Sequence, residues 1–148
     1  MRRAGRLLLG GALALAAALL VAACGSPAAD LFVVERSGTI PHARLSLLVG
    51  DGGTVRCNGG SEKEITSADL ITARKIAREL NGKDEAHPGP AVEAMRVPPR
   101  PGSLLRYEIR SEKGRVAFSD NSLPQPSVFF LAQKFTRDMA IRICGLPR

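Results

Sequence analysis

Polar and apolar positions change rhythm several times along this chain, and each change marks an element. Residues 7–23 contain only Leu, Gly, Ala and Val, without period. Leu31-Phe32-Val33-Val34 then reads as a short strand. Leu45, Leu47 and Val49 alternate with Arg44, Ser46 and Leu48. Gly50-Asp51-Gly52-Gly53 and Thr54-Val55-Arg56-Cys57 follow, so a β-hairpin is expected. Asn58-Gly59-Gly60 breaks the chain. Thr66-Ser67-Ala68-Asp69 has the spacing of a helix capping box, in which two side chains satisfy orphan amides at a helix start. Leu70, Ala73, Ile76, Ala77 and Leu80 recur at three- and four-residue steps, one apolar stripe of a helix, and Asn81-Gly82 supplies its stop.

A second unit repeats the scheme. Leu105, Tyr107 and Ile109 alternate with Arg106, Glu108 and Arg110; Glu112-Lys113-Gly114 makes a turn; Val116 and Phe118 face inward from the next strand. A second helix is expected from about Ser127, burying Val128, Leu131, Ala132, Phe135, Met139 and Ile143 and ending at Gly145. The order is strand, hairpin-helix, hairpin-helix. It predicts one α+β domain over residues 31–148, an antiparallel sheet of four to five strands with both helices on one face.

Residues 82–102 lie between the two units and hold five of the ten prolines. The segment lacks periodicity, and a loop of this length is functional or disordered as a rule. The part over residues 84–101 is expected to be exposed, poorly ordered and dispensable for folding. Its apolar residues Val92, Met95 and Val97, with Arg96 among them, make it a candidate partner-binding loop. Proline stiffens the chain and lowers the cost of ordering on binding.

The first apolar run acquires meaning from its flanks. Arg2, Arg3 and Arg6 precede it, and the small residues Val21-Ala22-Ala23 close it before Cys24. A positive region, an apolar region and a small-residue cleavage site describe a signal peptide over residues 1–23. Val21-Ala22-Ala23-Cys24 resembles the lipobox of bacterial lipoproteins, with Val21 where the commonest form has Leu. With its composition rich in Ala, Arg and Gly, the chain resembles the small lipoproteins of high-GC actinobacteria. The resemblance implies a diacylglyceryl group on Cys24, cleavage just before it, and a protein held at the extracytoplasmic face of the cell membrane. Gly25 to Asp30 would then be a short linker, and six residues span at most about 20 Å.

Charge narrows the partners. The chain carries +7; without the three leading arginines, 18 basic and 14 acidic side chains remain, a net +4. This excess is too small and too scattered for nucleic-acid binding, and none is expected. It fits weak attraction to an anionic membrane surface, for which Arg74, Lys75 and Arg78 on the polar side of the first helix form a candidate headgroup-binding face.

Candidate chemistry is sparse. With Cys24 lipidated, Cys57 and Cys144 are left over, and a leftover pair in an exported protein predicts a disulfide. No metal and no cofactor are expected: His42 and His87 are far in sequence from both cysteines and from each other. His42 reads as a surface histidine at a strand start, His87 as a solvated loop residue. Gly-x-Ser-x-Gly is absent, Ser61 follows a turn, and no Gly-rich phosphate motif is present. No catalytic residue is assigned. The expected function is a lipid-anchored binding or adaptor domain with a partner in the cell envelope. An alternative comes from the order strand, strand ending at Cys57, helix, exposed loop, hairpin. It is faintly similar to the secreted subtilisin inhibitors of actinobacteria, whose reactive site lies in that loop; the similarity implies a role for Met95-Arg96. In that family a disulfide braces the loop, whereas no Cys flanks Met95 here. An enzyme is the third reading.

Overall fold

A computed structural model of the protein describes residues 29–147. The signal peptide expected over residues 1–23 and the expected lipid attachment at Cys24 lie outside these described residues. The elements are β1 (Asp30–Gly38), β2 (Leu45–Gly50), β3 (Thr54–Cys57), β4 (Glu62–Glu64), α1 (Ser67–Asn81), β5 (Gly82–Asp84), β6 (His87–Pro88), β7 (Leu105–Ser111), β8 (Gly114–Ser119) and α2 (Ser127–Arg142).

The fold is α+β, as the pattern predicted, but the main antiparallel sheet has six strands, in the order β4-β3-β2-β1-β7-β8. Four to five were expected, and β4 is the additional strand. β4 carries Glu62-Lys63-Glu64, three exposed charged residues with no apolar signature, and pairs with β3 because the Asn58–Gly60 turn brings it back. β1 runs on to Gly38, well past Val34, and becomes the centre of the sheet, paired antiparallel with both β2 and β7. It thereby joins the two hairpins into one sheet.

Both helices cover one face. Alternation places Phe32 and Val34 of β1, Leu45, Leu47 and Val49 of β2, Tyr107 and Ile109 of β7, and Val116 and Phe118 of β8 on that face, all buried. α1 buries Ala73, Ile76, Ala77 and Leu80. α2 buries Val128, Phe129, Ala132, Phe135, Thr136, Met139 and Ala140, while Leu131 and Ile143 of the expected stripe are half-buried. Phe118 stacks on Phe129 with ring centres 4.2 Å apart, and Phe32 meets Phe135 edge-on at 6.1 Å. Aromatic pairs in these geometries add to the burial of their area.

The helix ends follow local chemistry. Asp69 N donates to Thr66 Oγ1 (3.2 Å) and Thr66 N donates to Asp69 Oδ2 (3.3 Å), the expected capping box. α1 stops at Gly82, whose φ of 78° lies in the left-handed region; a Cβ there would strike the backbone of Gly89 and His87. α2 ends at Arg142, before Gly145. Ile143 N and Cys144 N both donate to Met139 O (2.9 Å each), so the last turn widens. This turns Cys144 to the sheet, where it forms a disulfide with Cys57, Cα–Cα 5.7 Å across 87 residues of sequence. Lys63 Nζ donates to Ile143 O (2.9 Å) and reinforces the same junction.

The segment over residues 84–101 is largely exposed, as expected, but it follows a defined, hydrogen-bonded course where poor order was expected. β5 and β6 form a small hairpin. Ala91 N donates to Leu80 O (3.0 Å), and Ala91 is buried. A Cβ on Gly114 would strike Ala91 O, so the segment lies tight against the β7–β8 turn. Beyond it, Ala117 N donates to Met95 O (3.0 Å) and Val97 N donates to Ala117 O (2.8 Å), a parallel bridge that lengthens the sheet edge. Proline removes amide donors, but this bridge needs only one amide from the segment, that of Val97, and Met95 and Val97 pack against the core.

Candidate functional site

Among the described residues, nothing covers the face of the sheet away from the helices. Alternation places Glu35 and Ser37 of β1, Ser46 of β2, and Arg106 and Glu108 of β7 on it. The segment from Arg96 to Pro99 forms one wall and Arg44 with Asn58 the other, leaving an open groove of about 780 Å³. The wall is fixed. Ser122 Oγ lies 3.0 Å from both Val97 O and Pro98 O. Asn121 Nδ2 donates to Arg100 O (3.0 Å) and Pro101 O (3.1 Å), and its Oδ1 accepts from Arg100 N (3.0 Å).

The charges in the groove are arranged unequally. Glu35 and Glu108 stand opposite each other in the β1–β7 register, an unfavourable like-charge pair. Each has a donor of its own: Ser46 Oγ donates to Glu35 Oε1 (2.7 Å), and Arg115 Nη1 approaches Glu108 Oε1 at 3.5 Å. Arg44, Arg96 and Arg106 have no ion-pair partner among the described residues. Three free guanidinium groups around two satisfied carboxylates give the groove a field that draws acidic ligands.

The four residues of the candidate loop separate. Arg96 is exposed on the groove wall, Met95 and Val97 are half-buried against the core, and Val92 is 47% exposed on the preceding turn, away from the groove lining. The basic face of α1 is exposed, but two of its members are engaged: Arg74 Nε donates to Asp51 Oδ1 (2.6 Å) and Lys75 Nζ lies 3.8 Å from Glu79 Oε1. Asp51 N in turn donates to Ala29 O (2.9 Å), so this face sits where the chain enters the domain. His87 is exposed, its Nδ1 2.9 Å from Asp84 Oδ1 in the β5–β6 turn. His42 is exposed in the β1–β2 connection with φ 59°. No helix among the described residues is long and apolar enough to cross a membrane, and none of their His, Cys, Asp and Glu side chains cluster in threes as metal ligands.

The chain matches no family model. No curated protein and no solved structure gives a significant match either. Function therefore rests on the residues themselves.

Sequence reasoning passed over Arg36. It follows Phe32 and Val34 in alternation, so it points inward, and it is only 9% exposed. Burial lowers its pKa from the usual arginine value, and the neighbouring Tyr107 works in the opposite sense. Burial likewise raises the Tyr107 phenol, against the pull of Arg36. Extending the alternation of Phe32 and Val34 by one step would have found it.

Proposed function

We propose that this protein is a lipid-anchored binding or adaptor domain on the extracytoplasmic face of the cell envelope, capturing an acidic partner in the groove of its open sheet face. The observation that carries the reading is the braced groove with three arginines, Arg44, Arg96 and Arg106, that have no ion-pair partner among the described residues. The lipobox-like Val21-Ala22-Ala23-Cys24 supplies the anchor. The tether is short, and Arg74, Lys75 and Arg78 lie beside its entry through Ala29 and Asp51, within reach of acidic headgroups. The groove then projects sideways from the membrane surface, open to a neighbour in the envelope.

The test has two parts. Cys24→Ala abolishes the acyl mass on the mature N-terminus and releases the protein from the membrane fraction, or traps its precursor; an unchanged mass and membrane fraction refute the anchor. Proximity labelling from the native protein enriches an envelope neighbour that the Arg44→Glu, Arg106→Glu double variant loses. An identical set of neighbours for both refutes the groove.

One observation favours a second reading, a protease inhibitor acting through Met95-Arg96. Inhibitory loops require bracing, and Ser122 and Asn121 brace residues 97–101 with hydrogen bonds where the subtilisin inhibitors use a disulfide. Slow inhibition of a subtilisin-like protease, lost in Arg96→Ala, would promote this reading over the first.

A further inference from the structure

On the helix side of the sheet, a second cavity of about 590 Å³ opens between the β1–β2 connection and the last turns of α2. Its size falls within the range of small-molecule sites. Ile40, Pro41, Leu105, Ala140 and Ile141 give it apolar walls, and Arg36 and Arg137 are its cations. Among the described residues, no acidic side chain lines it.

Arg36 is the unusual member. Nε donates to Ala43 O (2.9 Å) and Nη2 donates to His42 O (3.1 Å), the latter carbonyl presented by the left-handed backbone of His42. Nη1 makes no hydrogen bond, and no carboxylate pairs with the guanidinium among the described residues. Nη1 is not among the fully buried side-chain atoms, so its N–H groups remain open to the cavity, and two carbonyls do not neutralise the charge. The guanidinium fork matches the two oxygens of a carboxylate or a phosphate monoester. Arg137 stands at the same cavity, its own acidic contact with Asp138 a long 3.8 Å. The cavity therefore joins an unneutralised fork to an apolar trough.

We infer that this cavity is a binding site for a single-chain acidic amphiphile, whose acid group meets Arg36 and whose alkyl chain lies along Ile40, Leu105 and Ile141. β1 enters from Ala29 at the opposite end of the sheet, so the site faces away from the tether; it shares Arg36 with the lining of the open-face groove, while its other walls differ. A lipid held there is carried by the domain rather than anchoring it.

Photolabelling of the full chain in phosphatidylcholine nanodiscs tests this. Three probes share one diazirine-bearing alkyl chain and end in a carboxylic acid, a lysophosphatidate or an uncharged alcohol. The acids label the peptides holding Ile40–Ala43 and Ala140–Ile141 at least roughly tenfold over the alcohol, the factor expected of one charge-assisted hydrogen bond. Which acid labels more strongly identifies the source, a fatty acid or a phospholipid. Arg36→Met removes the preference for acids, and Ile141→Trp, which fills the trough and leaves Arg36 in place, removes labelling by all three. If Arg36→Met does not fold, Arg137→Gln and Ile141→Trp carry the test. Equal labelling by the alcohol, labelling that survives Ile141→Trp, or displacement by inorganic phosphate alone would overturn the inference.

Discussion

Removing the Cys57–Cys144 bond is the most quantitative perturbation of this fold. The bond closes a loop across 87 residues and fastens the end of α2 to β3, next to the edge of the sheet. In the chain-entropy model, a loop of this size restricts the unfolded chain enough to stabilise the native state by about 4–5 kcal/mol. For a domain of about 120 residues the melting entropy is about 250 cal/mol/K, so each kcal/mol moves Tm by about 4 °C. Cys57→Ser should therefore melt about 16–20 °C below the parent. Thermal melts followed by circular dichroism, with and without a phosphine reductant, supply the assay, with Cys24→Ser in both backgrounds to exclude intermolecular pairing. Lys63 with Ile143 O and Arg142 with Asp69 (2.7 Å) still hold the helix end after reduction, so the loss is global, without local fraying of α2. Cys144→Ser and the double variant should match Cys57→Ser. A fall of less than about 5 °C would refute the loop-entropy reasoning. Two freely alkylated thiols in the native protein would refute the bond itself.

Other perturbations read the remaining contacts. Replacing residues 84–101 with a short Gly/Ser linker should lower Tm by many degrees, because Ala91 and the Met95–Val97 bridge pack on the fold; an unchanged melt would show that they do not. Ser122→Ala strips support from Val97 O and Pro98 O, costing about 1–3 kcal/mol. It should also speed tryptic cleavage after Arg96, and an unaltered digestion pattern would contradict the bracing. Asp69 tests pH dependence. Burial works against its charge, but hydrogen bonds from Arg142 and Thr66 outweigh it and hold its pKa below the ordinary aspartate value of 3.8. The folded state thus binds this proton less readily than the unfolded chain, so the contribution of Asp69 is present above that value and lost as pH falls through the lower folded one. Melting curves from neutral to acid pH should show Asp69→Asn less stable near neutrality, with the gap closing below about pH 4. A gap constant with pH would place the effect elsewhere.

Much of the architecture was written in the spacing of apolar residues. The β2–β3 and β7–β8 hairpins, the Thr66 capping box and the Gly82 stop depend on neighbours close in sequence, and local patterns report those. β4 was hidden because an edge strand of three charged residues has no apolar face to display. The ordered course of residues 89–101 was hidden for a different reason. Its partners are Leu80, Ala117, Asn121 and Ser122, and the contacts run through backbone groups and small polar side chains, which leave no periodic signal. The candidate site divides the same way. Arg96 was singled out for its setting among prolines, whereas Arg44 and Arg106 acquire significance only when β1 brings the two hairpins together. The disulfide was legible from cysteine count alone. Its geometry was not, since it needs the widened turn at Met139 that presents Cys144 to β3.

The reading of the groove as the partner-binding surface is tested most directly by photo-crosslinking in living cells. A photoreactive amino acid placed at Arg106, in the floor of the groove, should give one discrete adduct in the membrane fraction. The same amino acid at Lys134, on the exposed side of α2, should give none. No adduct from position 106, or the same adduct from both positions, would contradict a binding function for the open sheet face.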